Sequence, residues 1–316
     1  MPMTQSASTV TATAATGVHR LGTERPLAGI ACMALGVSLL PLMDGLAKHL
    51  SAEFHVLQVV WARFAFHIAW LLPLLLWRLH PRELLPRNPA LQVLRGGFLL
   101  GATLCFFGAI SVMPLADALA LLFVSPMICT LLSPWVLGER VGPWRWSAVA
   151  AGFVGALVVV RPGFGVFQWA SLLALSAGLC HGAYLVTTRR LAGSTSPMIT
   201  LLFTALLGLL AMSLVAPVVW TPPAAGDWLL MALMGLFAAG GHFLVIRSFD
   251  HAPAPIVAPI GYFEIVAATL VGYLAFGDFP DPWTWLGIAI IVGSGVVIAL
   301  REGRTRRRDI APNPIH

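Results

Sequence analysis

Charged residues are scarce in this chain. Only 10% of its 316 residues are Asp, Glu, Lys or Arg, whereas 58% are hydrophobic. A typical soluble domain carries about a quarter charged residues. A water-soluble fold of this size keeps a large wet surface, which such a composition cannot cover. The shortage of charge therefore excludes an ordinary soluble domain and predicts a chain that folds in lipid.

Cysteine is also rare, and the common enzyme motifs are missing. The four cysteines lie singly within apolar runs, without a C-x-x-C spacing, so we expect neither disulfides nor a structural metal site. The chain lacks H-E-x-x-H, G-x-S-x-G and the phosphate-binding G-x-x-x-x-G-K-[ST] pattern. The net charge of +6 comes from short basic clusters between apolar runs, which does not favour nucleic-acid binding. No organic cofactor and no metal are implied.

Apolar stretches that are long enough to cross a bilayer recur along the chain. About 20 helical residues span a hydrocarbon core of about 30 Å. The ten expected spans cover residues 27–47, 56–77, 92–112, 115–137, 145–161, 168–188, 198–220, 227–248, 256–276 and 283–300. We therefore predict an all-α membrane protein with a disordered cytoplasmic N-terminus at 1–26 and a basic cytoplasmic tail at 301–316.

The basic residues alternate between the segments that connect these spans. The termini and every second connection hold sixteen of them, namely Arg20, Arg25, Arg78, Arg82, Arg87, Arg95, Arg140, Arg145, Arg189, Arg190, Arg247, Arg301, Arg304, Arg306, Arg307 and Arg308. The opposite connections hold only Lys48 and Arg161. The positive-inside rule then predicts that both termini lie in the cytoplasm, with the chain crossing the inner membrane many times.

The sequence also repeats itself at a constant offset of 139 residues. The matched residues are Gly96, Gly101, Pro114, Gly138, Pro143, Trp144 and Trp146 with Gly235, Gly240, Pro253, Gly277, Pro282, Trp283 and Trp285. Each copy contains five spans, and because five is odd, the second copy enters the membrane from the opposite side. Such inverted repeats are typical of secondary transporters, whose substrate site lies near the midplane between the copies.

Several motifs resemble a known family. They are M-P-L-A-D-A-L-A-L-L-F-V-S-P-M from Met113, L-G-E-R from Leu137 and P-W-R-W from Pro143. Together they resemble the EamA domain of the drug/metabolite transporter superfamily. The resemblance implies two five-helix domains, at 27–161 and 168–300, and a transporter that works by alternating access. It leaves the substrate open, because relatives move amino acids, nucleotide-like metabolites, vitamins and drugs.

Two local patterns predict how the helices pack. Pro253, Pro255 and Pro259 crowd the start of the ninth span, and because proline removes a helix donor, we expect that span to be kinked or broken. The spacings Gly97-x-x-x-Gly101 and Gly178-x-x-x-Gly182 predict close helix contacts without chemistry of their own.

Ionisable side chains at membrane depth are candidates for function, because lipid does not solvate their charge. Arg63 lies about eight residues into the second span, roughly 12 Å deep at 1.5 Å per residue. His67 and Trp70 follow at i+4 and i+7, so we expect the three side chains to line the cavity on one helix face. Arg63 would bind a carboxylate or phosphate of the substrate. The alternative is that Arg63 reaches the interface or pairs with an acid.

Glu264 is a comparably deep acid in the ninth span. It aligns with Ser125 in the first copy, and it would bind a cationic group or carry a coupling proton. The alternative is that Glu264 pairs structurally with Arg63. Tyr262 in the same span and His181 and His242 in the sixth and eighth are further substrate-binding or coupling candidates. A lone histidine at that depth is more often a hydrogen-bonded packing residue.

Asp44, Lys48 and Asp117 lie near the outer ends of their spans. They are gate candidates, with a weak surface pair between Asp44 and Lys48 as the alternative. The sequence thus predicts a transporter of a small polar metabolite, such as an amino acid or a derivative. An intramembrane enzyme and a non-transporting scaffold are the alternatives. The expected partners are the lipid bilayer, a small-molecule substrate, a coupling proton or exchanged substrate, and a second copy of the chain as a homodimer.

Overall fold

The computed structural model describes residues 26–78, 88–139, 141–161, 169–191, 197–252 and 254–310. The predicted N-terminal segment, up to residue 25, and the last six residues of the predicted tail lie outside these ranges. Within them every regular element is a helix: α1 Pro26–Leu50, α2 Val56–Arg78, α3 Pro89–Ile110, α4 Leu115–Leu122, α5 Ser125–Leu137, α6 Pro143–Val160, α7 Trp169–Leu191, α8 Pro197–Val215, α9 Ala225–His251, α10 Ala254–Val257, α11 Phe263–Phe276 and α12 Pro282–Ile310.

These helices have the length and composition of membrane spans. In the described part of the chain nine helical segments are long and apolar enough to cross a bilayer, and Pro282–Ile298 is a tenth, shorter apolar one. The predicted fourth span comprises α4 and α5, and the ninth comprises α10, a 3₁₀ turn over Ala258–Tyr262, and α11. The prediction of an all-α fold with ten spans is therefore confirmed.

The repeat is visible in the packing. The first repeat contributes α1 to α6 and the second α7 to α12. Helix α1 packs along α9 of the other repeat, and its counterpart α7 packs along α3 in the same way. The equivalent glycines Gly138 and Gly277 end α5 and α11 with φ of 71° and 73°, a left-handed conformation that favours glycine. The two repeats therefore interlock through equivalent helices, as an inverted duplication requires.

Both discontinuous spans bend at equivalent places. The start of the ninth span is divided between α10, the 3₁₀ turn and α11, which confirms the break predicted from its prolines. The fourth span was expected to be one helix, but α4 ends at Leu122 and α5 begins at Ser125, with Pro126 in its first turn. Phe123 at this bend is the repeat equivalent of Tyr262, and their rings lie 5.2 Å apart.

The glycine spacings have different outcomes. A Cβ at Gly178 would lie 2.9 Å from the carbonyl oxygen of Leu121, and one at Gly182 would lie 2.5 Å from Cβ of Ile128. These glycines therefore allow the close approach that was predicted. The prediction for Gly97 is wrong, because nothing lies within 4 Å of a Cβ there. Its neighbour Gly96 faces α8 instead, where a Cβ would lie 2.7 Å from Cδ2 of Leu207.

Candidate functional site

A polar cavity lies between the two repeats, next to both bends. Its empty volume is about 690 Å³, a figure that includes the part open to solvent. Its lining residues are Leu40, Met43, Asp44, Arg63, Leu99, Ala102, Thr103, Phe106, Phe107, Leu122, Phe123, Ser125, His181, His242 and Glu264. We call it the central cavity.

Arg63 places a buried guanidinium in this cavity, with 4% of the residue exposed. Its Nη1 donates to Oγ1 of Thr103 at 3.0 Å, and its Nε lies 3.4 Å from Sδ of Met43. The rings of Phe64 and Phe107 flank it, with centroids 4.8 and 5.9 Å from Cζ. The alternative, in which the Arg63 side chain reaches the membrane interface, is therefore wrong. Neutral neighbours hold the guanidinium inside the bundle.

Two histidines lie beside Arg63: His67 on α2 is buried, and His242 on α9 is half-buried. Nη2 of Arg63 lies 3.4 Å from Nε2 of His242, and because a guanidinium can only donate, His242 accepts there with an unprotonated Nε2. The ring of His67 lies 6.0 Å from that of His242. Nε2 of His67 is buried without a hydrogen-bond partner in the described residues. The structure thus brings Arg63, His67 and His242 together, although His67, contrary to the prediction, is not among the residues that line the central cavity.

Asp44 and Glu264 supply two carboxylates to the central cavity. Asp44 on α1 is 3% exposed, and its Oδ1 has no hydrogen-bond partner in the parts of the chain that are described. Glu264 lies in the first turn of α11, where the helix dipole favours a negative charge. Among the described residues, neither acid comes within 4.0 Å of the Arg63 guanidinium. The structural pairing of Arg63 with Glu264 is therefore not formed.

His181 connects the cavity to the bend of the first repeat. Its Nδ1 lies 3.1 Å from Oγ of Ser125, the residue that is equivalent to Glu264. Its ring stacks on Tyr184 at 5.5 Å. Tyr262 does not line the central cavity itself. It contacts the lining residue Phe123, and its hydroxyl occupies the space in which a side chain at Gly295 would lie.

Trp70 lies apart from the cavity, so its predicted place on the lining is wrong. Its side chain is 49% exposed on the outside of the bundle, and Nε1 donates to the carbonyl oxygen of Ala232 at 2.9 Å. The helical spacing from Arg63 did align the residues on one side of α2. However, α9 packs against that side of α2. The indole of Trp70 hydrogen-bonds to the backbone of α9 and therefore does not extend into the cavity.

Two ion pairs join the repeats at one end of the bundle, which we call the Lys48 end. Nζ of Lys48 lies 2.6 Å from Oδ2 of Asp278 and donates to the carbonyl oxygen of Met113 at 3.0 Å. Arg161 lies 2.7 Å from Asp281. The surface pair of Lys48 with Asp44, which was the alternative to a gate, is therefore not formed, and Lys48 makes a contact between the two repeats instead. Asp117 lies beside the second pair.

Asp281 is suited to hold its pair over a wide pH range. Partial burial raises the pKa of its carboxyl, but the backbone N–H of Thr284 and the Arg161 guanidinium outweigh this and lower the pKa below its ordinary value. The carboxylate therefore stays ionised at neutral pH, and the contribution of the pair is lost only as the pH falls through that lowered pKa.

Sequence reasoning missed a second buried guanidinium. Arg95, assigned above to a basic connection, lies inside α3 with 3% of its surface exposed. Its Nη2 donates to the hydroxyl of Tyr184 at 2.6 Å, its Nη1 to Oγ1 of Thr204 at 2.6 Å, and its Nε to Oγ1 of Thr188 at 2.7 Å. The signal available was its position after Pro89, which begins the helix and so places Arg95 two turns inside it.

Inverted five-helix repeats around a cavity with charged lining residues, with a discontinuous span in each, are typical of transporters. The EamA-like transporter family model matches residues 27–161 and 168–300. The chain therefore belongs to this family, and it is a multi-pass membrane protein of the drug/metabolite transporter superfamily rather than an enzyme.

Named relatives are transporters of small molecules. A riboflavin transporter of Rhizobium johnstonii is 32% identical over 63% of this chain and 66% of its own length, and one of Vibrio cholerae is 28% identical over 90% and 97%. An S-adenosylmethionine uptake transporter of Rickettsia prowazekii is 24% identical over 88% and 95%. A crystal structure that is 23% identical, with a TM-score of 0.58, covers 87% of this chain and 96% of its own. That likeness supports the fold alone.

Proposed function

We propose that this chain is a secondary transporter of the cytoplasmic membrane that carries an amino-acid derivative by alternating access. The observation that carries the proposal is the lining of the central cavity. It contains one guanidinium, that of Arg63, and two carboxylates, those of Asp44 and Glu264. The cavity lies between two inverted repeats, and contacts between them close one end. A cavity of this kind can open to either side as the repeats move against each other.

The orientation proposed from the basic residues places the Lys48 end outside the cell and both termini in the cytoplasm. Without the buried Arg95, fifteen basic residues lie on the proposed cytoplasmic side and two on the other, which is the asymmetry that the positive-inside rule describes. In this orientation the ion pairs of Lys48 and Arg161 lie at the outer end of the protein.

The charges of the cavity favour a substrate with one carboxylate and more than one cationic centre. Arg63 matches a carboxylate, since its planar guanidinium can donate two parallel hydrogen bonds. Asp44 and Glu264 match an ammonium group and a second cation. S-adenosylmethionine has this set of charges, and its planar adenine suits the aromatic wall formed by Phe106, Phe107 and Phe123. The carriage of that compound by a relative is consistent with this assignment.

The test is a thermal-shift screen of the purified protein with S-adenosylmethionine, amino acids and organic acids. A ligand at 100 times its dissociation constant stabilises the fold by about 2.7 kcal/mol. We expect a shift with S-adenosylmethionine that disappears in Arg63→Ala and in Glu264→Gln and persists in Asp250→Asn, whose side chain lies in an exposed pair with Arg247.

Uptake into proteoliposomes with the same ligand completes the test. Glu264→Gln should abolish uptake, through loss of the cation site or of a coupling proton. If Glu264→Gln transports normally at every pH, the proposed role of Glu264 is wrong. A rise of the melting temperature with neutral, planar riboflavin that persists in Glu264→Gln would instead favour a second candidate function, a flavin carrier. The aromatic wall of the central cavity supports this candidate.

A further inference from the structure

A second, smaller cavity adjoins Arg63 on the side away from the acids. Its lining residues are Arg63, Phe64, His67, Leu99, Tyr184, Leu201, Thr204, Ala205 and His242. It leaves room for roughly one water-sized group. No carboxylate is among its lining residues, whereas the central cavity has two. We call it the minor cavity.

Hydrogen-bond donors converge on this space. Nε2 of His67 is buried and has no partner in the described residues, and in the tautomer protonated there it is a donor. The hydroxyl of Tyr184 accepts from Arg95, which leaves its own proton to donate. Arg63 carries five N–H groups, and three of its contacts are accounted for by Thr103, Met43 and His242.

Positive charge surrounds the same space. Arg63 lines it directly, and Arg95 acts through Tyr184 and Thr204, which accept its hydrogen bonds and line the minor cavity. In the described part of the chain no carboxylate lies within 4.0 Å of either guanidinium. A charge in a low-dielectric interior is stabilised when an opposite charge is near. Two buried cations with donors between them therefore favour an anionic occupant.

The geometry points to the minor cavity as an anion subsite, in which Arg63, His67 and Tyr184 hold one anionic group and Arg95 supports it from behind. The group is either the carboxylate of the transported substrate or a free small anion such as chloride. The first source rests on the proposed function, and the second does not. Tyr184 and Thr204 are positioned by Arg95, so this buried arginine sets the polarity of the site.

The first experiment measures thermal unfolding of the purified protein in sodium chloride and in sodium gluconate at equal concentration. Gluconate as a whole ion is too large for a space of this size, and it lacks the further groups by which a bound substrate would be held in the central cavity with its carboxylate in the subsite. A free-anion site predicts a saturable rise of the melting temperature in chloride alone. His67→Phe removes one donor without breaking a hydrogen bond seen among the described residues. Tyr184→Phe removes another donor, together with the acceptor of the Arg95 hydrogen bond. Each should weaken the apparent chloride affinity about tenfold or more. Tyr273→Phe, at an exposed tyrosine, is the matched control.

The second experiment separates the substrate carboxylate from a free anion. It compares the thermal shifts produced by S-adenosylmethionine and by its decarboxylated form. If the carboxylate occupies the subsite, the wild type prefers the carboxylated compound at least about tenfold, and His67→Phe and Tyr184→Phe lose that preference. A preference that survives both variants, together with equal stability in chloride and gluconate, would overturn the inference while leaving the proposed function intact. A chloride effect without any response to S-adenosylmethionine would support the subsite and contradict the proposed substrate.

Discussion

Asp44 shows how the structure separates a functional acid from a structural one. Its carboxylate is buried, lines the central cavity and has no partner at Oδ1 in the described residues. An acid that served the fold would have its hydrogen bonds satisfied, because leaving them unmade is costly. A buried carboxylate that keeps an unpaired oxygen despite this free-energy cost is instead consistent with a group that binds a cation of the substrate.

We therefore expect Asp44→Asn to stabilise the protein and impair transport together. Removing the buried charge should raise the free energy of unfolding by about 1 kcal/mol or more, seen as a higher melting temperature of the detergent-purified protein. Uptake into proteoliposomes should fall. The control Asp250→Asn, at an exposed side chain, should change stability by less than about 0.5 kcal/mol. A lower melting temperature in Asp44→Asn would show that the carboxylate serves the fold through Arg63.

At this scale the sequence identified the charged lining residues and missed the neutral ones. Arg63, Glu264, His181 and His242 are conspicuous because lipid does not solvate them. Thr103 and Phe107 line the same cavity, but a threonine and a phenylalanine are ordinary in any membrane helix. Arg95 was missed because its position in the chain resembles that of a basic connection, and only the packing of α7 and α8 around it shows that it is buried.

At the scale of helices, the bends and the glycine contacts decide how the lining residues are presented. Gly182 lets α7 approach the bend of the fourth span so closely that a Cβ there would lie 2.8 Å from the carbonyl oxygen of Ser125 and 2.5 Å from Cβ of Ile128. This contact brings His181 to Ser125. The sequence predicted the glycine contact and the bend at the prolines of the ninth span. It did not predict the bend of the fourth span, where Pro126 lies in the first turn of α5, a position that proline tolerates.

Alanine at Gly182 should separate α7 from α5. We expect Gly182→Ala to lower the free energy of unfolding by about 1–3 kcal/mol, the usual cost of overpacking, and to weaken ligand binding in the central cavity. The matched control is Gly97→Ala, where a methyl group meets open space and alanine favours the helix by up to about 1 kcal/mol. Melting temperatures of the two variants provide the comparison. Equal effects of the two substitutions would contradict the packing described for α7.

At the scale of the molecule, the inverted repeat relates the Lys48 end to the opposite end of the bundle. Asp278 has Glu139 as its equivalent at the offset of 139. Helix α1 follows a slightly different offset. A Cβ at Gly101 meets Cys180 and one at Gly240 meets Leu39, and since Gly101 and Gly240 are equivalent, so are Leu39 and Cys180. The resulting offset of 141 makes Arg189 the counterpart of Lys48.

In the proposed alternating-access cycle the pair Lys48–Asp278, which joins the two repeats, closes one end, so its counterpart, Glu139 with Arg189, should close the other end after the transporter has changed state. The test exchanges charges within each pair. Lys48→Asp and Asp278→Lys alone should each reduce transport, because like charges then meet, and the double variant should restore it. Glu139→Arg and Arg189→Glu should behave in the same way, although Glu139 is exposed here. Exchanging Arg247 and Asp250, which pair within α9, should leave transport unchanged.

If the single changes at Glu139 and Arg189 have no effect, or the double variant fails to rescue them, the two ends do not close by equivalent contacts. The repeat would then relate the fold of the two halves without relating their gates.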